Sequence, residues 1–412
     1  MTIELKTGTL GLTVLLFFVA CIQDVIGQEP LSIEDAVRLA SQHNRVLRSE
    51  QLRKEYALLL TKTASDIPGA VISTENGQFN SAYFDTKLSI SQSFELPIAY
   101  RRKKRWLETS VLTVQAGIAL KEKEIRQQLE EVFNEFGYTR EQEKLLQSYL
   151  KFYDLFSQKT DQRVREGEAD IIEKTMATQQ LAQVNWQLER LRNALKLLSL
   201  ELSWLVNDGS QYVPDTKQWN TQPLDLVIDS SQLKAHPQLQ LAYHQWQQAV
   251  TFTALQRSML LPSVTIGFNN MSIRGTGADN VLYDASKRFS SFQLGIQIPL
   301  FRKSANAGVS AARAEESIQR LHWENEVSFL WKEWLTLAEK QQLMADRIRF
   351  MDQVSLPNAA TIKETASRQL SGGAINYLEF VTLMNQALNI EQEYISIRKE
   401  ANSIRIAILF LM

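Results

Sequence analysis

The chain sets out one architectural unit twice, the copies about 200 residues apart: helix, proline, strand, loop, strand, junction, long helical hairpin. In the first copy Pro68 closes the leading helix and a strand pair follows near residues 70–94. Phe94-Glu95-Leu96-Pro97 then leads into Arg101-Arg102-Lys103. In the second, Pro262 closes the helix, the strand pair falls near 263–298, and Ile298-Pro299-Leu300-Phe301 leads into Arg302-Lys303. Further on, Arg165 to Glu173 is echoed by Gly372 to Glu379, with a glycine (Gly167, Gly373) six residues before a glutamate each time. Residues 28–206 read as the first copy and 232–412 as the second. Residues 207–231, with their Gly, Pro, Asp and Asn, read as the linker. Two strands and two very long helices, duplicated, restrict function more than any single residue does.

Charge excludes one class of partner. Lys plus Arg total 45 against 46 Asp plus Glu, so nothing marks a nucleic-acid surface. Residues 1–27 read as an export signal: Lys6, then an apolar run from Leu10 to Ala20 too short to span a bilayer, then Val25-Ile26-Gly27 as a cleavage site. The mature chain is expected to start at Gln28. Cys21, the only cysteine, stands just after the apolar run, which opens a second reading as a lipid-attachment site. Phe18 three residues earlier suits that reading poorly. With no other cysteine the mature chain forms no internal disulfide.

The strands alternate. Phe84, Thr86, Leu88, Ile90 and Phe94 fall on one face, with Asp85, Lys87, Ser89, Ser91 and Ser93 on the other. Phe292, Leu294, Ile296 and Ile298 repeat the pattern, Val264, Ile266 and Phe268 give a shorter version, and the stretch Val71 to Phe79 gives the weakest one. This fits a soluble sheet packed on helices, or part of a membrane barrel with apolar side chains outward. Four strands cannot close, and an open edge cannot exist in lipid, so a barrel would have to be shared by several copies. Two short turns on one side and long helices on the other would suit that design.

The helices carry heptads. Leu181, Val184, Leu188, Leu191, Leu195, Leu198, Leu202 and Leu205 keep a strict 3-4 spacing of the coiled-coil kind. Ile118, Ile125, Leu129, Val132 and Phe136 form a looser seam. Val327, Leu330, Trp334, Leu337, Met344, Ile348 and Met351 keep register except at Gln341, and Ile397, Ala401, Ile404, Ile408 and Leu411 hold it to the end. Each helix is expected to run roughly 45–50 residues, about 70 Å. A soluble coiled-coil rod would show the same heptads; their pairing, twice, with membrane-type strands argues against it.

Chemistry for catalysis is missing. His43, His236, His244 and His322 are scattered, and neither metal-ligand spacing, a nucleophile elbow nor a phosphate-cradling glycine loop occurs. No catalytic residue, metal site or cofactor is expected, and the chain does not read as an enzyme. The basic run Arg101 to Arg105 reads as a solvated junction or as a contact to lipid headgroups.

From Leu31 to Met412 the residues resemble the TolC-like outer-membrane efflux proteins. Leu31-Ser32-Ile33-Glu34-Asp35-Ala36-Val37 with Asn44 is similar to that family's start. His236-Pro237 recurs in the second copy, and Ile298-Pro299-Leu300-Phe301 resembles its strand-to-helix junction. The resemblance implies a mainly α fold with a small β part. Three chains would each give four strands to one 12-stranded transmembrane barrel, continued by a periplasmic α-helical coiled-coil barrel. It implies a homotrimer in the outer membrane of a Gram-negative bacterium, partnered by a periplasmic adaptor (membrane fusion) protein and an inner-membrane pump of the resistance-nodulation-division type. The family's adaptor-contacting tip motifs fall on Arg165, Gly167 and Ala169, and on Gly372 and Gly373. Its pore-narrowing carboxylates fall on Glu379 and, in the first copy, Glu173; a further family acid is Thr382 here. Residues 260–315 look most like the branch exporting heavy-metal cations. A duct for drugs or amphiphiles, or for a secreted protein, is the alternative within the class. A periplasmic adaptor has one hairpin flanked by β segments, which two hairpins do not match.

Overall fold

The structure, a computed structural model, describes residues 29–79, 81–167, 170–217, 219 and 230–412. The export signal with Cys21, the tip residue Ala169 and residues 218 and 220–229 of the linker lie outside the described residues.

Alternating side chains build one four-stranded antiparallel sheet from β2 (Val71–Gly77), β3 (Asp85–Glu95), β5 (Ser263–Ser272) and β8 (Arg288–Gln297), in the order β2-β3-β5-β8. The two strand pairs therefore join through β3 and β5. Register aligns the central rows by chemistry. Ile72, Ile90, Phe268 and Phe292 stand side by side on one face, and Ser73, Ser89, Asn269 and Ser291 on the other. The polar row is hydrogen-bonded across strands: Ser89 Oγ donates to Asn269 Oδ1 at 2.7 Å, and Asn269 Nδ2 donates to Ser291 Oγ at 3.5 Å. Among the described residues no element covers the apolar face. Phe292 is 88% and Leu294 74% exposed.

Strand ends differ from expectation in two places. Phe84 precedes β3 instead of opening it, and is exposed. The connections at the far end are unequal: only residues 78–84 separate β2 from β3, whereas 273–287 fold a small hairpin of their own, β6 (Gly275–Thr276) with β7 (Leu282–Tyr283). The buried Asp85 fastens this end. It accepts from Ser81 Oγ at 2.7 Å, Ser272 Oγ at 2.9 Å and the Arg274 N–H at 3.0 Å, which satisfies a carboxylate that burial alone would penalise.

The helices are α1 (Ile33–His43), α2 (Arg45–Thr61), α3 (Pro97–Arg165), α4 (Ile171–Val206), α5 (Pro237–Gln256), α6 (Lys303–Phe350), α7 (Leu356–Ser371) and α8 (Tyr377–Leu411). The expected uniform length is wrong. α3 has 69 residues and α4 has 36. In the second half α6, a five-residue π turn (Met351–Ser355) and α7 have 48, 5 and 16 residues, together equal to α3, while α8 has 35. Proline explains the π turn. Pro357 has no N–H to give the preceding turn, so the helix widens and Leu356 N–H bonds back to Met351 O. The heptads pack as read: Val184, Leu188, Leu195, Leu202 and Leu205 are buried, as are Ile397, Ala401, Ile404, Ile408 and Leu411. Val327 is the exception and is exposed.

Two compact units draw on both halves of the sequence. One comprises Arg45–Glu124, Val227–Ala338 and Phe410–Met412 and holds the sheet. In it the buried His236, N-cap of α5, accepts from Gln238 N–H through Nδ1 at 3.3 Å, which leaves Nε2 protonated and donating to Phe410 O at 2.9 Å. The imidazole so ties the C-terminal end of α8 to the start of α5. Burial, with Lys123 nearby, pushes its pKa down to about 4 against the opposing pull of the Phe410 carbonyl.

The other unit takes the described parts of Met1–Asn44, Ile125–Leu226 and Glu339–Leu409. There β1 (Glu29–Leu31) pairs in parallel with β4 (Tyr212–Pro214), and Asn44 Nδ2 donates to Leu205 O at 2.8 Å. Trp219 lies on α3, its Nε1 donating to Asn134 Oδ1 at 2.8 Å. This approach needs Gly137: a Cβ there would collide with the indole ring of Trp219.

Candidate functional site

Both hairpin turns, with all the described residues predicted to act at the tips, fall within this second unit. The turns are built alike. Gly167 and Gly373 adopt φ of +73° and +70°, the left-handed region where a side chain is strained, and each stands just beyond a helix end. Gly373 N–H bonds to Leu370 O at 3.2 Å and Ala374 N–H to Gln369 O at 2.9 Å, a Schellman closure of α7. Gly167 N–H makes the matching bond to Val164 O at 3.2 Å. Gly372, with φ of −88°, has no such requirement.

The two glutamates stand at the same helical position and do different things. Each is the third residue of its helix. Glu379 Oε2 accepts from the Asn376 N–H, and Asn376 Oδ1 accepts from the Glu379 N–H, both at 3.0 Å, a reciprocal capping box that starts α8. In the first copy Asp170 caps α4 alone, accepting from Ile172 N–H, and Glu173 pairs with Arg163 at 3.0 Å across the turn. Glu379 is exposed, whereas the Glu173 side chain is mostly covered. Arg165 is exposed and paired with Asp161, which also meets Lys174; these two cations hold the Asp161 carboxyl below the usual range.

The hairpins are held to each other by residues that the sequence reading passed over. Phe156 of α3 stacks on Tyr377 of α8 with ring centroids 3.7 Å apart, and Phe380 closes the cluster at 6.0 Å. Tyr149, Tyr153 and Phe156 recur at helical spacing on α3 and are buried with them, a stripe that periodicity could have revealed. Asn385 joins three helices: its Oδ1 accepts from Tyr153 Oη at 2.9 Å and from Gln180 Nε2 at 3.3 Å. Burial raises the Tyr153 hydroxyl to about 12, so it stays a donor through the neutral range. Lys363 of α7 pairs with Glu391 of α8 and lies 5.6 Å from the Tyr149 ring centre. Among the described residues no cluster of His, Cys, Asp and Glu could hold a metal ion, and no helix is long and apolar enough to cross a membrane.

The fold is similar to that of several solved outer-membrane channel structures. The chain is similar to the solved structure of CusC, reported for its transmembrane channel formation, with a TM-score of 0.77 at 15% identity over 93% of this chain and 92% of that one. It is similar also to the outer membrane protein VceC of Vibrio cholerae, with a TM-score of 0.74 at 15% identity over 92% and 95%. A third likeness is to the CmeC outer membrane channel of Campylobacter jejuni, 0.74 at 14% over 92% and 85%. At these identities the likeness concerns the fold. No protein-family model matches the chain, and no curated protein matches it in sequence.

Proposed function

We infer that the chain is the outer-membrane exit duct of a tripartite efflux system and passes cargo without chemistry of its own. One observation carries this reading: an open four-stranded sheet whose apolar face is bare and whose opposite face is a ladder of hydroxyls and amides. In water that face would be a liability, and in lipid it is a requirement. The free edges of β2 and β8 can be satisfied only by further copies, and three chains give the 12 strands of a closed barrel. The polar rows then line the lumen. α3, about 100 Å long at 1.5 Å per residue, is of a length to reach deep into a periplasm.

In this account Arg165, Gly167 and Ala169 with Gly372 and Gly373 meet the adaptor, and an inner-membrane pump supplies energy and selects cargo. Glu379 and its first-copy counterpart Glu173 place carboxylates at the constriction, where they favour cations and repel anions. The cargo we assign is heavy-metal cations, on the sequence resemblance of residues 260–315. Growth of a deletion strain across copper, silver, zinc, cobalt and cadmium, beside dyes, bile salts and antibiotics, tests it. Sensitivity confined to metals is the expected result. Sensitivity to the amphiphiles alone would keep the duct and overturn the cargo.

A further inference from the structure

Three of the four chain connections on the helix side of the sheet, after β3, before β5 and after β8, meet at the register level of Glu95, Ser263 and Gln297. Two of these junctions follow the same order of chemistry with distance from the sheet. After β8 come Ile298, Leu300 and Phe301, the last two 80% and 97% exposed, and then Arg302 and Lys303. After β3, α3 opens on Pro97, whose missing N–H costs nothing at a helix start, and exposes Ile98. One turn on, Arg101, Lys104 and Arg105 share the exposed face, all within about 12 Å of the helix start. Arg257, in the turn before β5, adds a further exposed cation.

The local charge is one-sided although the whole chain is balanced at −1. At this level the run Arg101–Arg105 with Arg257, Arg302 and Lys303 outnumbers the acids Asp66, Glu95 and Glu108. Only some of these cations have an internal duty. Arg102 donates to Ser258 Oγ at 3.3 Å, Arg302 to Pro299 O at 3.1 Å, and Lys104 lies 3.8 Å from Glu108.

We propose that these two junctions form a belt that binds anionic phospholipid headgroups of the membrane leaflet on the helix side of the sheet. The argument rests on the duct reading, which puts the apolar face in lipid. It goes further because the order of residues matches the depth profile of a bilayer. Leu300, Phe301 and Ile98 continue the apolar band to its edge. The cations then stand where phosphates lie, their aliphatic stems able to lie along the apolar edge. A protein partner would give no reason for apolar side chains always to precede the charges.

The test uses full-length protein reconstituted in vesicles of phosphatidylcholine, with spin-labelled phosphatidylglycerol or phosphatidylcholine as the probe of the protein perimeter. Wild type is expected to prefer phosphatidylglycerol by about five-fold or more at low salt, and to lose the preference at about 1 M salt. The quadruple variant R101Q/R105Q/R257Q/K303Q should incorporate normally and bring the ratio close to one, while R101K/R105K keeps it. An inserted quadruple variant with the wild-type preference, or a wild type with none, overturns the belt and leaves the basic face to an acidic protein. Failure to incorporate into vesicles of either composition overturns the membrane reading beneath it.

Discussion

Substituting Glu379 separates the helix cap that its side chain forms from the pore charge proposed for the same carboxylate. Its Oε2 closes the capping box on Asn376, so Glu379→Ala removes one of two reciprocal hydrogen bonds and a negative charge from the start of α8. That loss is worth about 1 kcal/mol, a roughly five-fold increase in fraying of the first turn. Glu379→Gln keeps an oxygen acceptor for the same N–H, because glutamine closes the box as glutamate does. It removes the charge alone. A carboxylate about 4 Å from a passing ion contributes about 1 kcal/mol in bulk water, and three of them up to ~3 kcal/mol before salt screens them. Charge should therefore dominate permeation and the cap should dominate local order. In planar bilayers under a salt gradient, both variants are expected to lose cation preference to a similar extent, read as a shift in reversal potential. Only the alanine variant should also raise resting conductance. A glutamine variant with wild-type selectivity, beside an alanine variant with raised conductance, would reduce Glu379 to a helix cap and refute the ring.

Three further outcomes follow from the geometry. Gly373→Ala should cost about 1 kcal/mol in stability, since it forces a side chain into the left-handed region, whereas Gly372→Ala should fold unchanged; loss of efflux in a stable Gly372→Ala protein would mark an adaptor contact. Gly137→Ala should lower the melting temperature by an overpacking cost of about 1–3 kcal/mol, because its methyl collides with Trp219, and Trp219→Ala should relieve the collision. His236 titrates at about 4 when folded and near 6.5 when unfolded, so its tie is intact above about pH 6.5. It weakens as pH falls towards 4, by up to ~1.4 kcal/mol per unit, while the unfolded chain takes up a proton that the folded one refuses. His236→Gln should flatten that part of the stability–pH curve.

Much of this was legible in the sequence where one rule acted alone. Alternation located β3, β5 and β8 to within a few residues, and the 3-4 spacing from Leu181 to Leu205 found the buried side of α4. Lengths failed where polar residues interrupt the seam without ending the helix. Glu143 is buried on α3 and survives because Arg140, Arg192 and Gln147 meet it, at 3.1, 3.4 and 3.0 Å. No local pattern announces such a layer. Pro357 was legible as a disturbance, yet only the backbone shows that a π turn absorbs it and the helix continues. At the tips, glycine spacing located both turns, but it could not show that equivalent glutamates would take different partners, Arg163 and Asn376. The pairing of β3 with β5, about 170–185 residues apart, depends on no local signal at all.

The most direct test of the account is disulfide scanning of the two free sheet edges in isolated outer membranes. Single cysteines would be placed along β2 (71–77) and paired with cysteines along β8 (288–297) in the same chain. Within one chain these edges lie three strand spacings apart, about 14 Å, beyond the reach of a disulfide. Oxidation should therefore yield covalent dimers and trimers from the outer-membrane fraction, and nothing larger. Uncrosslinked chains at every pair, or a protein recovered only from the soluble fraction, would contradict a barrel closed by three copies.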